Sequence, residues 1–262
     1  MKKLHILHAG CVSVQVQKTV DQFNAMHTHA QAENSSGGSV DRIRRLLRGE
    51  PCDLLISADD AIIASMLMPE RTQGYYIFAG NSMVLVATNP NKSISEENWP
   101  QVLLNPANTF GHYDPTVDPG GYRGVMVCLL ADSIEPGLSK KLLDHPGRVV
   151  YMSADDPPAD FSISYRSNAI KNNKPYVVLP ASMNLSNPAL NAHYATAAFD
   201  LDGDGKNLVY GSAICHALTV PKTAVQPELA MEFIKLFLQN DFKKSGFIPM
   251  NKIVGEWTGP TL

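Results

Sequence analysis

Gly111-His112-Tyr113-Asp114-Pro115-Thr116-Val117-Asp118-Pro119-Gly120-Gly121-Tyr122-Arg123 holds two Asp-Pro pairs four residues apart and a glycine pair, and leads into an apolar run from Val125 to Leu130. Each proline fixes its own φ and pushes the preceding aspartate into an extended conformation. Pro119 suits the first turn of a helix, where no N–H partner is needed. The stretch therefore reads as a strand end, a rigid loop and a helix start near Pro119. A helix start presents unpaired N–H donors and a partial positive charge, which suits an anion. A capped structural turn is the other reading these residues allow.

Upstream, the same strand-to-helix junction recurs three times in the first 60 residues. Leu4 to Leu7 reads as a short buried strand ending in His8-Ala9-Gly10-Cys11, followed by Val12, Val16, Val20 and Phe23 at helical spacing. Ser35-Ser36-Gly37-Gly38-Ser39-Val40 precedes Ile43, Leu46 and Leu47, with Ser39 as the expected N-cap. Cys52 to Ile56 is an apolar strand, and Ser57-Ala58-Asp59-Asp60 caps a helix running to about Met68. Ligands of open parallel sheets sit outside the carboxyl ends of the strands, so three converging junctions carry more weight than one.

The rest of the chain keeps the α/β alternation. Strands are expected at Tyr75 to Ala79, Met83 to Ala87, Asp160 to Tyr165, Tyr176 to Leu179 and along Tyr210 to Val220. Helices are expected at Ser95 to Leu104, with Trp99 inward and a bend at Pro100, from Pro119 to about Ser133, at Leu138 to Leu143 and at Pro227 to Leu238. Ser167 is the expected cap after the Asp160 strand, and Glu135 to Pro158 reads as polar and proline-punctuated. Asp200 to Lys206 has the look of a calcium loop, but the twelfth position is Gly211 where a bidentate Glu belongs. A hairpin turn is the expectation there.

Composition narrows the function. At 262 residues the chain makes one large or two smaller domains, and 44% hydrophobic residues fit an ordinary core. A net charge of −3 gives no sign of a nucleic-acid surface. The densest basic stretch, Arg42 to Arg48, is interleaved with Ile43, Leu46 and Leu47 and reads as a solvated helix face. No apolar run approaches the roughly 20 residues of a membrane span. Met1-Lys2-Lys3 resembles a signal-peptide start, yet Leu4 to Leu7 is too short for its apolar region. The expectation is a cytoplasmic protein or a mature chain whose leader has been removed. Cys11, Cys52, Cys128 and Cys215 form no CxxC pair, so zinc and thioredoxin chemistry are not indicated. Cys52, Cys128 and Cys215 read as small core residues, and Cys11 stands at a helix start.

Taken in order, His8-Ala9-Gly10, Gly38-Ser39-Val40, Ser57-Ala58-Asp59, Phe78-Ala79-Gly80-Asn81, Asp114-Pro115 through Arg123, Tyr165-Arg166-Ser167 and Leu179-Pro180 resemble the tungstate/molybdate-binding proteins of ABC importers, in their archaeal-type branch. The likeness runs from Leu4 to about Leu238. It implies a two-lobed α/β fold of the type II periplasmic-binding-protein kind, each lobe a mixed, mostly parallel sheet flanked by helices. Residues 1–83 and 213–262 form lobe I and residues 84–212 lobe II. Strands near Met83 to Thr88 and Ser212 to Val220 make a two-strand hinge. The implied role is capture of an oxyanion, tungstate or molybdate first, with sulfate, phosphate or a small organic anion as the alternative in the same fold. The implied partners are that anion and the membrane permease of an ABC importer, with no nucleic acid, for a periplasmic or cell-surface monomer.

By the same resemblance, the ligand contacts fall at Gly10, Cys11, Ser39, Asp118, Tyr122, Ser164 and Tyr165. No cofactor is implied. The one metal contact implied is from Asp118 to the metal centre of the oxyanion, whose coordination can expand where that of sulfur does not. Two positions depart from the pattern. Cys11 stands where serine is usual, and a thiol is the poorer donor. Ser164 stands where a second carboxylate is usual, so two-carboxylate coordination is not available there. An enzymatic reading, with Cys11 as nucleophile beside His8, has no oriented base to support it. An effector domain of a transcription regulator would need a DNA-binding segment, and none is expected before Leu4 or after Leu262.

Overall fold

The structure, a computed structural model, describes residues 1–153 and 155–262. Ala154, within the segment expected to be polar and proline-punctuated, lies outside the described residues. In chain order the elements begin with β1 (Lys2–Ala9), a 3-10 turn (Gly10–Val12), α1 (Ser13–Met26), β2 (Ala30–Gly37), α2 (Ser39–Leu47), β3 (Leu54–Ser57), α3 (Asp60–Leu67) and β4 (Gly74–Gly80). There follow β5 (Met83–Ala87), α4 (Trp99–Leu104), β6 (Phe110–Tyr113), α5 (Pro119–Leu130), α6 (Leu138–Leu143), β7 (Arg148–Tyr151), β8 (Phe161–Tyr165), α7 (Arg166–Lys171) and β9 (Tyr176–Val178). The chain closes with α8 (Asn191–Tyr194), β10 (Ala198–Asp200), β11 (Leu208–Tyr210), β12 (Cys215–Thr219), α9 (Pro227–Phe237) and β13 (Ile248–Gly255).

Two compact units divide these elements. The first comprises Met1–Gly80 with Cys215–Leu262, the second Asn81–Ile214. The chain therefore passes between them twice, just before β5 and just before β12.

The first unit is a six-stranded sheet in the order β13-β4-β12-β3-β1-β2. β1 pairs in parallel with β2 and β3, while β12 and β13 run antiparallel to their neighbours. Burial explains the order. All seven residues of β4 and all four of β3 are buried, as in strands covered on both faces, whereas β2 alternates at the edge. α9 puts Phe233, Ile234 and Phe237 into the core, and Phe233 lies 5.8 Å from Phe23 of α1, centroid to centroid.

The second unit is a five-stranded sheet, β7-β6-β8-β5-β9, with a separate β10-β11 hairpin. β6 is parallel to β7 and β8, and β5 is antiparallel to β8 and β9. Met126, Val127 and Leu130 of α5 are buried. The Asp200 to Lys206 stretch is the turn of the antiparallel β10-β11 pair, as expected. Among the described residues no group of three His, Cys, Asp or Glu side chains is gathered for a metal ion. Also among them, no helix is long and apolar enough to cross a membrane.

Several sequence expectations are corrected here. Pro100 occupies the first turn of α4, which starts at Trp99, so no bend follows from it. Trp99 is buried as expected. The Tyr210 to Val220 run is broken at Gly211, where a β-carbon would stand 2.1 Å from the Tyr194 carbonyl oxygen, and pairing resumes only at Cys215. Arg42 is not on a solvated face: it is buried and donates to Ser35 Oγ at 2.5 Å and to Asp41. Cys52 and Cys128 are core thiols as expected, each pushed up to about 12 by burial.

Asp59 caps α3 through a 3.0 Å bond from Ala61 N, as the sequence implied. Asp59→Ala is expected to cost roughly 1–2 kcal/mol of unfolding free energy, read from denaturant melts.

Candidate functional site

In the first unit, the parallel strands end level with one another. Ala9 is in register with Gly37, and His8 with Ile56. The three junctions read from the sequence therefore share one edge of the sheet. They differ in how their helices start. Ala9, before the Gly10 turn, and Gly38, before α2, are extended residues with no side-chain cap, whereas α3 is capped by Asp59.

Ser39 is not the N-cap expected of it. Gly38 takes that place with φ −66° and ψ 136°, and Ser39 becomes the first helical residue. Its fully buried hydroxyl accepts from Ala58 N at 2.9 Å, tying the second junction to the third and leaving its own proton to donate. Gly37, at the end of β2, lies against the Arg42 side chain. A β-carbon there would stand 2.8 Å from Arg42 Nε, whose guanidinium folds over the end of β2.

Gly10 faces Ser36, whose Oγ would be 3.8 Å from an added β-carbon. Cys11 is 7% exposed, and its sulfur lies 3.9 Å from His216 Nδ1 on β12. His8, the histidine nearest Cys11 in the sequence, has its ring nitrogens on Ala9 O at 2.9 Å and Asn34 Oδ1 at 3.0 Å. The imidazole beside Cys11 is thus His216, 205 residues downstream, which no local motif could reveal.

In the second unit, the opening stretch folds as its prolines dictate. Asp114 Oδ1 accepts from Thr116 N and Oγ1, both at 2.8 Å, making a side-chain-stabilised turn around Pro115. Asp118 is the extended N-cap of α5, and its Oδ1 accepts from Gly120 N at 2.6 Å. Gly121 N donates to Asp118 O at 2.9 Å, and Pro119 has no N–H. The expected open donors at this helix start are therefore already used. What α5 presents at its start is a carboxylate, not bare amides.

The glycine pair makes this possible. A β-carbon on Gly121 would stand 2.5 Å from Tyr113 O and 2.6 Å from Asp114 O, so the helix start lies against the strand end. A β-carbon on Gly120 would meet Asp118 Oδ1 at 2.8 Å and the Tyr165 ring at 3.3 Å. Asp118 and Tyr165, 47 residues apart by number, are hence brought to the same glycine.

Burial pushes the Asp118 carboxyl up to about 6, against the pull of the Gly120 and Gly121 amides, and Asp114 adds to the rise. Tyr113 is raised too, by burial first and then by the neighbouring Asp118 charge. Ser164 points elsewhere. On β8, Phe161, Ile163 and Tyr165 are buried while Ser162 and Ser164 are half-buried, as alternation requires. Ser164 Oγ accepts from Asn168 Nδ2 at 3.4 Å. Tyr122 is fully buried, its ring stacked 6.5 Å from Phe199 of β10.

Arg123, part of the same motif, is the largest fully buried side chain among the described residues. It donates from Nη1 to Ser212 O at 2.6 Å and from Nη2 to Ser212 Oγ at 3.2 Å. Burial of an arginine is the exception among charged residues, and nothing in its local sequence announces it.

Comparison with known proteins places this architecture. An uncharacterized solute-binding protein of Methanoculleus marisnigri is 32% identical over 274 residues, covering 90% of this chain and 77% of that one. The molybdate/tungstate-binding protein WtpA of Pyrococcus abyssi is 28% identical over 282 residues, covering 92% and 82%. The periplasmic molybdate-binding protein of Azotobacter vinelandii superposes with a TM-score of 0.68 at 17% identity, over 94% of this chain and 98% of that one, a likeness of fold. Residues 4–248 match the family described as bacterial extracellular solute-binding protein, and the chain belongs to that family.

Proposed function

We propose that this protein captures an oxyanion, tungstate or molybdate in preference, and delivers it to the membrane permease of an ABC importer. The observation that carries the reading is the set of strand-to-helix junctions at Gly10, Ser39 and Ser57, gathered at one end of the first unit's parallel strands, where the Ser39 hydroxyl keeps a proton to donate. A dehydrated dianion needs such donors to leave water. The relatives support the ligand class, since WtpA of Pyrococcus abyssi is named for molybdate and tungstate.

In this reading Gly10, Cys11, Ser39, Asp118 and Tyr165 are the candidate ligand contacts. Ser164, which accepts from Asn168, and Tyr122, stacked on Phe199, are the remaining candidate contacts. Asp118 approaches the metal of the oxyanion, and with Ser164 in place of a second carboxylate the coordination shell gains one protein oxygen rather than two. The protein works outside the cytoplasmic membrane, as a monomer, without a cofactor and without catalysis. Cys11 acts as a weak donor, not as a nucleophile.

Calorimetric titration with molybdate, tungstate, sulfate and phosphate tests the reading. Sub-micromolar binding of the first two, with a rise in melting temperature, is expected. No heat from any of the four would overturn it. Cys11→Ser supplies a better donor and is expected to tighten molybdate binding by several-fold, in the same titration.

A further inference from the structure

The chain joins the two units at two short segments, Asn81–Ser82 and Ser212–Ile214, and both are hydrogen-bonded within the second unit to the helix starts that carry its site residues. Asn81 is fully buried. Its Nδ2 donates to Ser167 Oγ at 2.8 Å, and its Oδ1 accepts from Ser82 N at 2.9 Å. Arg166 N donates to Ser82 O at 2.9 Å. Ser167 and Arg166 open α7 immediately after Tyr165, so the first joining segment is fastened to the residues that follow the site tyrosine.

The second segment is fastened to the other helix. Arg123 lies one turn into α5, whose cap is Asp118, and its guanidinium grips both the carbonyl and the hydroxyl of Ser212. Two further bonds hold the same segment, Ala213 N to Asn191 Oδ1 and Ile214 N to Leu185 O, each at 2.8 Å.

We infer that Arg123 and Asn81 are positioning residues for anion binding: they tie the two joining segments to the α5 and α7 starts, so that occupancy at Asp118 and Tyr165 fixes both segments. This rests on the anion reading above. Coupling of this kind travels through contiguous packed and hydrogen-bonded groups, and here each path runs through one hydrogen-bonded contact and at most about one turn of helix. Arginine is specific to its task. A planar fork that holds a carbonyl and a hydroxyl together is not reproduced by lysine, although the charge is retained.

Hydrogen exchange followed by mass spectrometry on the full chain, with and without saturating molybdate, tests the inference. In the unaltered protein, molybdate is expected to slow exchange of the 81–83 and 212–215 amides at least about tenfold. In Arg123→Lys the slowing at 212–215 disappears and molybdate affinity falls about tenfold. In Ser167→Ala, a smaller change made in case the arginine variant does not fold, the slowing at 81–83 disappears. A merely structural role would alter exchange equally with and without the anion. Molybdate binding with unchanged exchange in both segments overturns this inference alone. Absence of binding by the unaltered chain to molybdate, tungstate and sulfate overturns the anion reading and this inference with it.

Discussion

Asp118→Asn is expected to weaken tungstate binding by at least about 100-fold and to change sulfate binding less than about threefold. The substitution is a fair one because asparagine caps helices as well as aspartate, so the bond from Gly120 N survives and the fold with it. What is lost is the anionic oxygen. If that oxygen coordinates the metal of the oxyanion, tungstate suffers and sulfate, whose sulfur does not expand its shell, is little affected. Equal loss for both anions would show that the carboxylate does not coordinate.

The same group gives a pH dependence with a definite sign. Burial raises the Asp118 carboxyl from 3.8 to about 6, so the folded chain holds this proton more tightly than the unfolded one. Its contribution to stability is complete below about pH 4 and is lost as pH rises through about 6. Asp118→Asn should remove this component from melts run without ligand between pH 4 and 7. For binding the two ligand classes should diverge. Tungstate affinity falls as pH is lowered through about 6, because the coordinating form is protonated, while sulfate affinity changes less than about threefold, as in Asp118→Asn.

Gly121→Ala is expected to cost roughly 2–3 kcal/mol of stability, about 5–10 °C in melting temperature, and to impair anion binding with it. The added β-carbon meets two main-chain oxygens, Tyr113 O at 2.5 Å and Asp114 O at 2.6 Å, which cannot swing aside as a flexible side chain does. Relief requires α5 to move off β6, taking Asp118 away from Tyr165. Gly10→Ala is the control for stability: its nearest neighbour, Ser36 Oγ at 3.8 Å, is at ordinary contact distance, so the melt should shift little. A Gly121→Ala melt matching that of the unaltered chain would show that the helix start has room the close approach denies.

Much of this was legible in the sequence because local rules and tertiary structure agree. Proline fixed the loop and the start of α5, and the apolar periodicity of Val12 to Phe23 and of Pro227 to Leu238 marked helices that are present. Among the elements not anticipated, α7 and α8 are helices of one or two turns, while β7 and β13 lie at sheet edges. β13 carries Pro249 and Lys252 and is exposed along most of its length, so it shows no alternation of apolar and polar residues. β7 is four residues long and follows Pro146-Gly147.

The site was partly legible for a related reason. Strand-to-helix junctions announce themselves locally, and those at Gly10, Ser39 and Asp118 stand where the sequence put them. Partners do not. His216 beside Cys11, Ala58 on Ser39 and Ser212 under Arg123 are distant or main-chain contacts, invisible to spacing. The sequence also could not show that Asp118 consumes the α5 amides itself, which moves the expected contact from a bare helix start to a carboxylate oxygen.

The central claim is that a metal oxyanion is held at Asp118. Crystals grown with tungstate, and the anomalous signal of tungsten, locate the ion directly. The account predicts one strong peak beside the start of α5, with an Asp118 oxygen in its coordination shell and Tyr165 adjacent. A peak remote from both residues, or no peak at saturating tungstate, would contradict it.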